Sequence, residues 1–452
     1  MRNNLPPSFV TRMKNQLNTD FEAFEAALAS EPPVSIRIND QKKIPLPFNS
    51  TSVLPWCDGA LYLSERPSFT LDPAFHAGAY YVQEAASMLL AKAFKTLFPA
   101  SYPIRVLDLC AAPGGKSTLL ASLLPPGSIL VSNETVKNRI PVLKDNLNKW
   151  GRVNTWITGY DPAVFAGLEG FFDLVVIDAP CSGEGLFRKD TESASHWSEE
   201  HVLHCADRQK RILAAAEKLV SPGGGLIYST CTYNYPENEG NASWLESTLK
   251  MSPVKMDSPA DWGVTPTGLG YQCYPHRLKG EGFYISLFRK LNGKSALIKP
   301  ARKNRKLGEL SKKQQQEIIH WVDNPEELTF YIEKDGSVLC IPEENEEEFH
   351  VLGAALPAGV WCFEAGQFKG DNFLPSHALA LSTVVSKSVP SVDLSRDTSL
   401  HFLKKENIML ENADKGWLLM RYEGLGLGWV KNLGNRVNNY LPKEWRIRMD
   451  IE

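Results

Sequence analysis

An α/β fold with a mostly parallel sheet between two layers of helices is the architecture that this sequence predicts. Short apolar runs alternate with amphipathic segments from residue 104 to residue 288, and strands that alternate with helices form parallel sheets covered on both faces. Three loop motifs rich in glycine, cysteine or serine follow predicted strands. Because ligands of such sheets bind beyond the carboxyl ends of the strands, the motifs indicate one shared site.

The composition predicts a soluble, cytoplasmic protein of more than one domain. A chain of 452 residues, 43% hydrophobic and 22% charged, is long enough for two or three domains with buried cores. Its formal net charge of −3 argues against a uniformly basic surface but leaves room for a basic groove. The eight cysteines contain no C-x-x-C motif, which predicts reduced thiols. No apolar run reaches the ~18 residues of a membrane span.

Residues 1–95 are predicted to form a small mixed α+β N-terminal domain. Apolar side chains recur at helical spacing from Phe9 to Leu28, with charged residues on the opposite face. The alternating segment 35–39 predicts a short strand, and segment 83–98 predicts a second helix.

Residues 96–290 carry the alternation of strands and helices. Strands are predicted at 104–109, 129–132, 155–158, 174–177 and 225–229, with a late strand at 283–288. Helices are predicted between them at 117–124, 136–149 and 201–219.

The composition changes after residue 290. Lys and Arg recur across 291–314 against a single acid, Glu309, which predicts a linker. It is either a solvated connector or a strap that contacts phosphates. In 315–452, short strand-like runs such as 337–341 and 417–422 are punctuated by glycines, which predicts a β-rich C-terminal domain.

The loop after the first strand of the sheet is predicted to bind a cofactor. A glycine-rich loop between a strand and a helix directs N–H groups and a helix N-terminus at an anionic ligand. A nucleotide-triphosphate loop would need glycine at position 110, and the G-x-G-x-x-G dinucleotide pattern is absent. A structural turn remains the alternative. The loop consists of Cys110, Ala111, Ala112, Pro113, Gly114, Gly115 and Lys116.

Two acids downstream favour an adenosyl ligand. Glu134 closes the second strand about 20 residues after the loop, where an acid can accept both ribose hydroxyls. Asp161, after the third predicted strand, is placed to reach the adenine edge, although Asp161-Pro162 could equally start a helix or turn.

Two cysteines occupy separate loops that follow strands. Cys181 lies in Asp-Ala-Pro-Cys-Ser-Gly and Cys231 in Ser-Thr-Cys-Thr. Methylation of pyrimidine carbon 5 needs a thiolate that adds to carbon 6, an acid near ring nitrogen 3 and a proton acceptor; Asp178 could serve the ring nitrogen. One cysteine after a buried strand is usually core packing, but two at strand ends favour chemistry. The residue types do not decide which cysteine attacks.

A histidine-rich segment offers a possible metal site, which we do not expect. It contains His196, His201, His204 and Cys205. His201 and His204 fall inside a predicted helix with its own apolar stripe, and the sequence has no second ligand pair nearby.

Together the motifs resemble the NOL1/NOP2/Sun family of S-adenosylmethionine-dependent RNA cytosine-5 methyltransferases. The resemblance covers residues 1 to about 290. The long C-terminal extension resembles the bacterial RsmF-type subgroup, which acts on 16S rRNA of the small ribosomal subunit and ends in a PUA-like RNA-binding module. The strings that carry the resemblance are 71–84, 110–116, 178–183, 229–232, 236–239, 424–429 and 445–448.

The resemblance implies a Rossmann-like methyltransferase sheet that binds S-adenosylmethionine. In the family, residues matching 110–116 line the cofactor pocket, the residue matching Glu134 holds the ribose, and the one matching Asp161 lies near the adenine. Some relatives carry aspartate in place of Glu134, which keeps the carboxylate.

The resemblance also implies roles at the target base. The cysteine matching Cys231 is the nucleophile, and the one matching Cys181 assists release of the methylated product. Asp178 is expected at the junction of cofactor and base. The expected partner is 16S rRNA or the small subunit, with no membrane, no metal and a monomeric enzyme.

The target base must leave its stack to reach a buried thiol. Phe187, Trp197 and Tyr233 could stack on it, or they could belong to the core. Arg188 and Lys189 could contact phosphates.

Two other functions remain open at this point. One is a catalytically idle RNA-binding or assembly factor with the same fold. The other is a DNA cytosine methyltransferase, in which Cys181 would attack the base.

Overall fold

Four β-sheets with flanking helices make up the described residues, 5–189, 191–293, 307–410 and 413–451, of this computed structural model. The basic residues of the predicted linker that fall in 294–306 lie outside these ranges. Lys312 and Lys313 of that linker instead begin a helix, which Ser311 caps together with Gln314.

The N-terminal part contains a four-stranded antiparallel sheet in the order β2-β3-β1-β4. The helix predicted from Phe9 to Leu28 is two helices, because Asn18 adopts a left-handed φ of 48°, which asparagine tolerates. Both helices still bury their apolar faces in one cluster. The elements are α1 (Pro7–Leu17), α2 (Phe21–Ala29), β1 (Ser35–Ile38), β2 (Ser50–Val53), β3 (Ala60–Leu63), α3 (Pro73–Ala77) and β4 (Tyr80–Val82).

A nine-stranded sheet follows, and it confirms the predicted α/β fold. Its order is β11-β12-β13-β9-β8-β5-β6-β7, with β10 paired to β13. Strands β9, β8, β5, β6 and β7 are parallel, and β13 runs antiparallel to β9. The elements are α4 (Leu90–Leu97), β5 (Arg105–Asp108), α5 (Gly115–Leu123), β6 (Ile129–Asn133), α6 (Ile140–Trp150), β7 (Thr155–Thr158), β8 (Phe172–Asp178), α7 (Thr191–His196), α8 (Glu199–Leu219), β9 (Val220–Thr230), α9 (Glu239–Ser247), β10 (Ser252–Pro253), β11 (Thr265–Pro266), β12 (Tyr271–Cys273) and β13 (Phe283–Arg289).

Two predicted helices begin later than expected. The helix expected at 83–98 starts as α4 only at Leu90, after the 3₁₀ turn Ala86–Leu89. The helix expected at 136–149 starts at Ile140, where Pro141 occupies the first turn, the position that proline favours.

The C-terminal part is β-rich, as predicted, but it contains two four-stranded sheets, β14-β15-β16-β17 and β18-β19-β20-β21. A helix with both the length and the apolarity to cross a membrane is absent from the described residues. The elements are α10 (Lys312–Ile318), β14 (Leu328–Ile332), β15 (Ser337–Pro342), α11 (Glu346–Ala355), β16 (Phe363–Lys369), β17 (Asn372–Pro375), α12 (His377–Leu381), β18 (Ser391–Asp393), α13 (Arg396–Leu403), β19 (Gly416–Tyr422), β20 (Leu425–Asn432) and β21 (Val437–Asn439).

Apolar packing crosses the predicted domain limits. The ring of Trp156, in β7, lies 5.9 Å from that of Phe349, in α11. Ile157 and Trp361 exchange two backbone hydrogen bonds of 2.8 and 2.9 Å. The first C-terminal sheet is therefore attached to the edge of the central sheet. The limits at 95, 290 and 314 stay predictions.

A buried lysine links three parts of the chain. The Lys42 ammonium donates to the carbonyls of Ala77 at 2.9 Å, Lys149 at 2.6 Å and Leu381 at 2.5 Å. Burial, with a smaller contribution from the charge of Arg152, lowers the pKa of Lys42 to about 7.

Candidate active site

The predicted cofactor loop joins β5 to α5. Gly114 precedes the helix with a φ of 110°, a left-handed conformation that favours glycine, and the Ala112–Pro113 peptide bond is cis. Because Gly114 has no side chain to cap α5, the N–H groups of the first turn stay available to an anionic ligand. A Cβ at Gly115 would lie 3.3 Å from the Tyr81 ring.

The sequence reasoning missed Asn133, which holds the loop in place. Its buried amide donates to the carbonyls of Leu109 at 3.1 Å and Tyr160 at 2.9 Å. Its Oδ1 accepts from the Thr158 hydroxyl and from the Tyr160 N–H, both at 2.9 Å. One side chain thereby fixes the ends of β5, β6 and β7. The available signal was an amide at a strand end, directly before Glu134.

Glu134 lies where the sequence places it, at the end of β6. One carboxylate oxygen accepts from the Val136 N–H at 2.8 Å, and the other is 3.4 Å from the Arg139 guanidinium. Arg139 also donates to the Ala112 carbonyl at 2.5 Å. Glu134 is thus oriented beside the cofactor loop, with acceptor capacity left for hydroxyl groups.

Asp161 caps a 3₁₀ helix that begins at Pro162, so the sequence Asp-Pro starts a helix here. Its carboxylate accepts from the Ala163 N–H at 3.0 Å and pairs with Arg211 at 2.9 Å. The bond from Ala163, followed by the Arg211 contacts, lowers the pKa of Asp161. Its contact with an adenine stays a prediction.

The two cysteines from separate loops lie together. Cys181 Sγ is 3.1 Å from Cys231 Sγ, and the N–H of Cys231 donates to Cys181 Sγ at 3.4 Å. Their loops leave β8 and β9, which are paired in parallel with Asp178 opposite Ser229. Both residues are free thiols.

The environment of Cys181 favours its protonated form. Its hydrogen bond with Cys231, followed by burial, raises the pKa of Cys181 well above its ordinary range. Cys181 is therefore a thiol at neutral pH, in contact with the sulfur of Cys231.

An ion pair lies beside the thiols. The Lys116 ammonium is 2.7 Å from Asp178 Oδ2, and Ser229 donates to Asp178 Oδ1 at 2.8 Å. Burial opposes the charge on Lys116, but Asp178 and, to a smaller extent, Cys231 raise its pKa above the ordinary value. The Phe283 ring lies 5.2 Å from the ammonium. A cation is thus held within electrostatic reach of Cys231.

A second acid near this pair was not predicted from the sequence. Asp108 is fully buried at the end of β5 and accepts from the Ser117 hydroxyl at 2.6 Å. The backbone N–H of Cys110 also acts on this carboxylate and lowers its pKa. Burial, reinforced by the charge of Asp178, raises the pKa of Asp108 to about 7.

A buried glutamate supports both thiol loops. Glu237 accepts from the Ser182 N–H at 3.0 Å, from the Asn234 amide at 2.7 Å and from the Gln209 amide at 2.7 Å. Gln209 also donates to the Pro180 carbonyl at 3.0 Å. Burial raises the pKa of Glu237 although these hydrogen bonds oppose it. In the sequence, only its position in the string 236–239, which carries the family resemblance, pointed to Glu237 as a residue of the site.

Glu184 ties the first helix to the same loops. Its buried carboxylate is 2.6 Å from the Arg12 guanidinium of α1. It also accepts from the Trp197 indole and the Tyr233 N–H at 3.0 Å, and from the Asn234 amide at 3.2 Å. The N-terminal helices therefore pack directly behind the site.

The three aromatic residues considered for base stacking belong to the core. Phe187, Trp197 and Tyr233 are at most 7% exposed and pack in one cluster with Phe9 and Phe24 of α1 and α2. Their faces are covered by the N-terminal helices, so the core alternative is the one observed.

The two cations that follow Phe187 are engaged inside the protein. The Arg188 guanidinium donates to the carbonyls of Ser30 at 3.1 Å and Gly280 at 3.4 Å. Arg188 and Lys189 lie 3.9 and 3.7 Å from the buried Glu281 carboxylate. The side chain of Lys189 is more exposed than that of Arg188.

The histidine-rich segment lies at and near the start of α8. His201 contacts Cys205 at 3.6 Å within one helical turn. In the described part of the chain, no three such ligands converge as a metal ion would require.

Three family models match the chain in sequence. The model of the N-terminal domain of 16S rRNA methyltransferase RsmF matches residues 5–85, and that of 16S rRNA methyltransferase RsmB/F matches 96–289. The model of the methyltransferase RsmF PUA domain matches 389–447, the region of the last sheet. The ribosomal RNA small subunit methyltransferase F of Shewanella oneidensis is 30% identical over 474 residues, which cover 97% of each chain. The chain belongs to the RsmB/F family of 16S rRNA methyltransferases.

A second relative agrees with this RsmB/F assignment, and two solved structures share the fold. The methyltransferase F of Vibrio vulnificus is 30% identical, with 97% of each chain covered. A methyltransferase homologue from Pyrococcus horikoshii is 25% identical, with a TM-score of 0.54 over 64% of this chain and 97% of that one. NSun6 from the same organism, solved with SFG, shares the fold at 20% identity, with a TM-score of 0.55 over 65% of this chain and 100% of that one.

Proposed function

We propose that this RsmB/F-family chain methylates carbon 5 of a cytosine in 16S rRNA through a covalent bond between Cys231 and the base. The observation that carries the proposal is the contact of two free thiols, 3.1 Å apart, at the ends of adjacent parallel strands. The Lys116–Asp178 ion pair beside them supplies a cation and a carboxylate. Thiolate addition to a pyrimidine uses both kinds of group.

S-adenosylmethionine is the proposed methyl donor, and it supplies an electrophilic methyl group when bound. The residues of the loop 110–116 fit it, since the uncapped start of α5 can receive its carboxylate. Glu134 can accept its ribose hydroxyls. Support also comes from the fold neighbour that was solved with the analogue SFG. Asp161 is proposed at the adenine edge.

The protonation of Cys181 favours Cys231 as the nucleophile. The hydrogen bond with Cys231, together with burial, raises the pKa of Cys181 and keeps it a thiol, and the Lys116 ammonium lies within electrostatic reach of Cys231. Addition to carbon 6 makes carbon 5 electron-rich, and we propose that Asp178, held by Lys116 and Ser229, orients the base through ring nitrogen 3.

Release of the product completes the proposed reaction. After methylation, the carbon 5 proton leaves and its electron pair re-forms the 5,6 double bond, which expels Cys231 as a thiolate. Cys181 is in contact with that sulfur and can pass its proton to it, while the carbon 5 proton replaces the one given up. Two thiols in direct contact suit this exchange.

Release of tritium from rRNA labelled at carbon 5 of cytosine tests the proposal. We expect release that depends on both the protein and S-adenosylmethionine, because methylation replaces the proton on carbon 5. Protein that binds the rRNA without releasing tritium would be an RNA-binding or assembly factor instead. Release from labelled DNA and not from rRNA would indicate a DNA methyltransferase.

The substrate and its contacts extend this proposal. We infer that the enzyme acts as a cytoplasmic monomer on 16S rRNA or on the small subunit. The C-terminal residues 315–452, of which 389–447 match the PUA model, are proposed to bind RNA. Bisulfite sequencing of rRNA from a strain without this gene would identify the cytosine.

A further inference from the structure

A cavity of about 430 Å³ lies between the N-terminal sheet and helix α6. None of its lining residues comes from the loops of Cys181 and Cys231, so it is separate from the thiol site. The side chains that define its chemistry are Arg66, Phe69, Phe75, Tyr81, Asn146 and Lys149.

The charge of this cavity distinguishes it from four other cavities in the described part of the chain. Among the described residues that line it, Arg66 and Lys149 are charged, and a carboxylate is absent. Four other cavities, of about 390 to 750 Å³, each include at least two carboxylates in their walls. The cavity at α6 is therefore suited to an anion.

Lys149 is a half-buried cation whose ammonium has no ion pair or hydrogen bond within the described ranges. It lies 4.5 Å from the centre of the Phe75 ring and 5.6 Å from that of Trp445. Burial lowers the pKa of Lys149 to about 8, and the charge of Asp145 opposes the shift. A phosphate would supply the hydrogen-bond acceptors that this ammonium lacks.

Aromatic rings form another wall of the cavity. Tyr81 and Phe75 are half-buried there, with Phe69 behind them. Flat aromatic faces beside cations are the combination that binds single-stranded nucleic acid, because bases stack on the rings while phosphates contact the cations.

We propose that this cavity binds one nucleotide of the RNA substrate, its base against Tyr81 and Phe75 and its phosphate against Lys149 and Arg66. The inference rests on the proposed function, which supplies RNA as the ligand. Asn146, in the same wall, donates to the Pro113 carbonyl of the cofactor loop at 2.8 Å. An RNA strand bound here therefore lies beside the cofactor loop.

Binding of the full-length protein to a 16S rRNA transcript over a series of salt concentrations tests the phosphate contact. We expect Lys149→Met to bind about tenfold more weakly, with the slope of log affinity against log salt reduced by about 0.7. Arg66→Met, at an exposed position, should behave in the same way. Lys218→Met, an exposed lysine in the last turn of α8, is the matched control and should bind like wild type.

Tyr81→Leu tests the base contact separately. We expect about tenfold weaker binding with an unchanged salt slope, because stacking is lost while the phosphate contacts remain. Melting temperatures of all variants show that they are folded. Competition by cytidine monophosphate distinguishes an RNA site from a site for a free nucleotide.

Two results would overturn the inference. One is binding of Lys149→Met, Arg66→Met and Tyr81→Leu within twofold of wild type. The other is tight binding of cytidine monophosphate that these variants abolish while their affinity for the transcript is unchanged. Tritium release is measured in parallel: wild-type protein that binds RNA through this cavity but releases no tritium would refute the reaction and leave the nucleotide site standing.

Discussion

The Arg12 guanidinium lies 2.6 Å from the fully buried carboxylate of Glu184. Because Glu184 also accepts the Tyr233 N–H, this ion pair joins helix α1 to both thiol loops. The N-terminal helices are therefore structural supports of the reaction site as well as a covering for its aromatic core.

Replacing Arg12 should destabilise the protein and slow the reaction. Arg12→Met leaves a buried carboxylate without its cation, for which we expect a loss of about 3 kcal/mol in the free energy of unfolding. Urea denaturation and tritium release measure the two effects. Arg12→Lys should retain part of both, and Lys14→Met, exposed on the same helix, should change neither. Unaltered stability in Arg12→Met would contradict this role.

Cys231→Ala should abolish turnover, because the base then has no nucleophile. We expect tritium release to fall at least about a thousandfold, while the affinity for rRNA changes little. Cys205→Ala, at a buried cysteine of α8, is the control and should remain active. Activity in Cys231→Ala together with inactivity in Cys181→Ala would reverse the assignment of the nucleophile.

Cys181→Ala should trap the covalent intermediate. Cys231 can still add to the base, but the thiol that assists its expulsion is missing. We expect a protein–RNA band that resists denaturant on a gel and needs S-adenosylmethionine to form. The double variant Cys181→Ala/Cys231→Ala should show no band. If Cys181→Ala turns over without any retarded band, Cys181 does not assist product release.

Asp108 should make stability depend on pH. Its folded pKa of about 7 exceeds its unfolded value, so the folded state holds a proton that the unfolded state has lost between about pH 4 and 7. The resulting stabilisation is complete below about pH 4 and is lost as the pH rises through about 7. Relative to Asp108→Asn, the wild type should lose up to about 1.4 kcal/mol of unfolding free energy per pH unit in that window. Urea denaturation at pH 5, 6, 7 and 8 measures the difference, and a constant difference would refute the shift.

Local sequence patterns were sufficient to predict the parallel strands and the proximity of the two cysteines. Apolar runs locate β5, β6, β8 and β9, and motifs at the ends of neighbouring parallel strands must lie at one edge of the sheet. The break at Asn18 was not predictable, because the apolar spacing of α1 and α2 is continuous through it.

The supports of the site depend on contacts between distant parts of the chain. Glu237 accepts from the amide of Gln209, which lies 28 residues away, and Glu184 pairs with Arg12, which lies 172 residues away. Nearness in sequence to Cys181 also made Phe187 a candidate for stacking, although it is covered by helices from the other end of the chain. Periodicity and motif spacing carry no information on such pairings.

The three carbonyls that accept from the Lys42 ammonium have a consequence for experiments with fragments of the protein. A fragment ending at residue 293 would retain both thiols, the Lys116–Asp178 pair and the cofactor loop, yet it would remove the Leu381 oxygen from the ammonium. Removing the residues after 293 therefore lets solvent reach the Lys42 ammonium beside helix α6, which the intact chain buries.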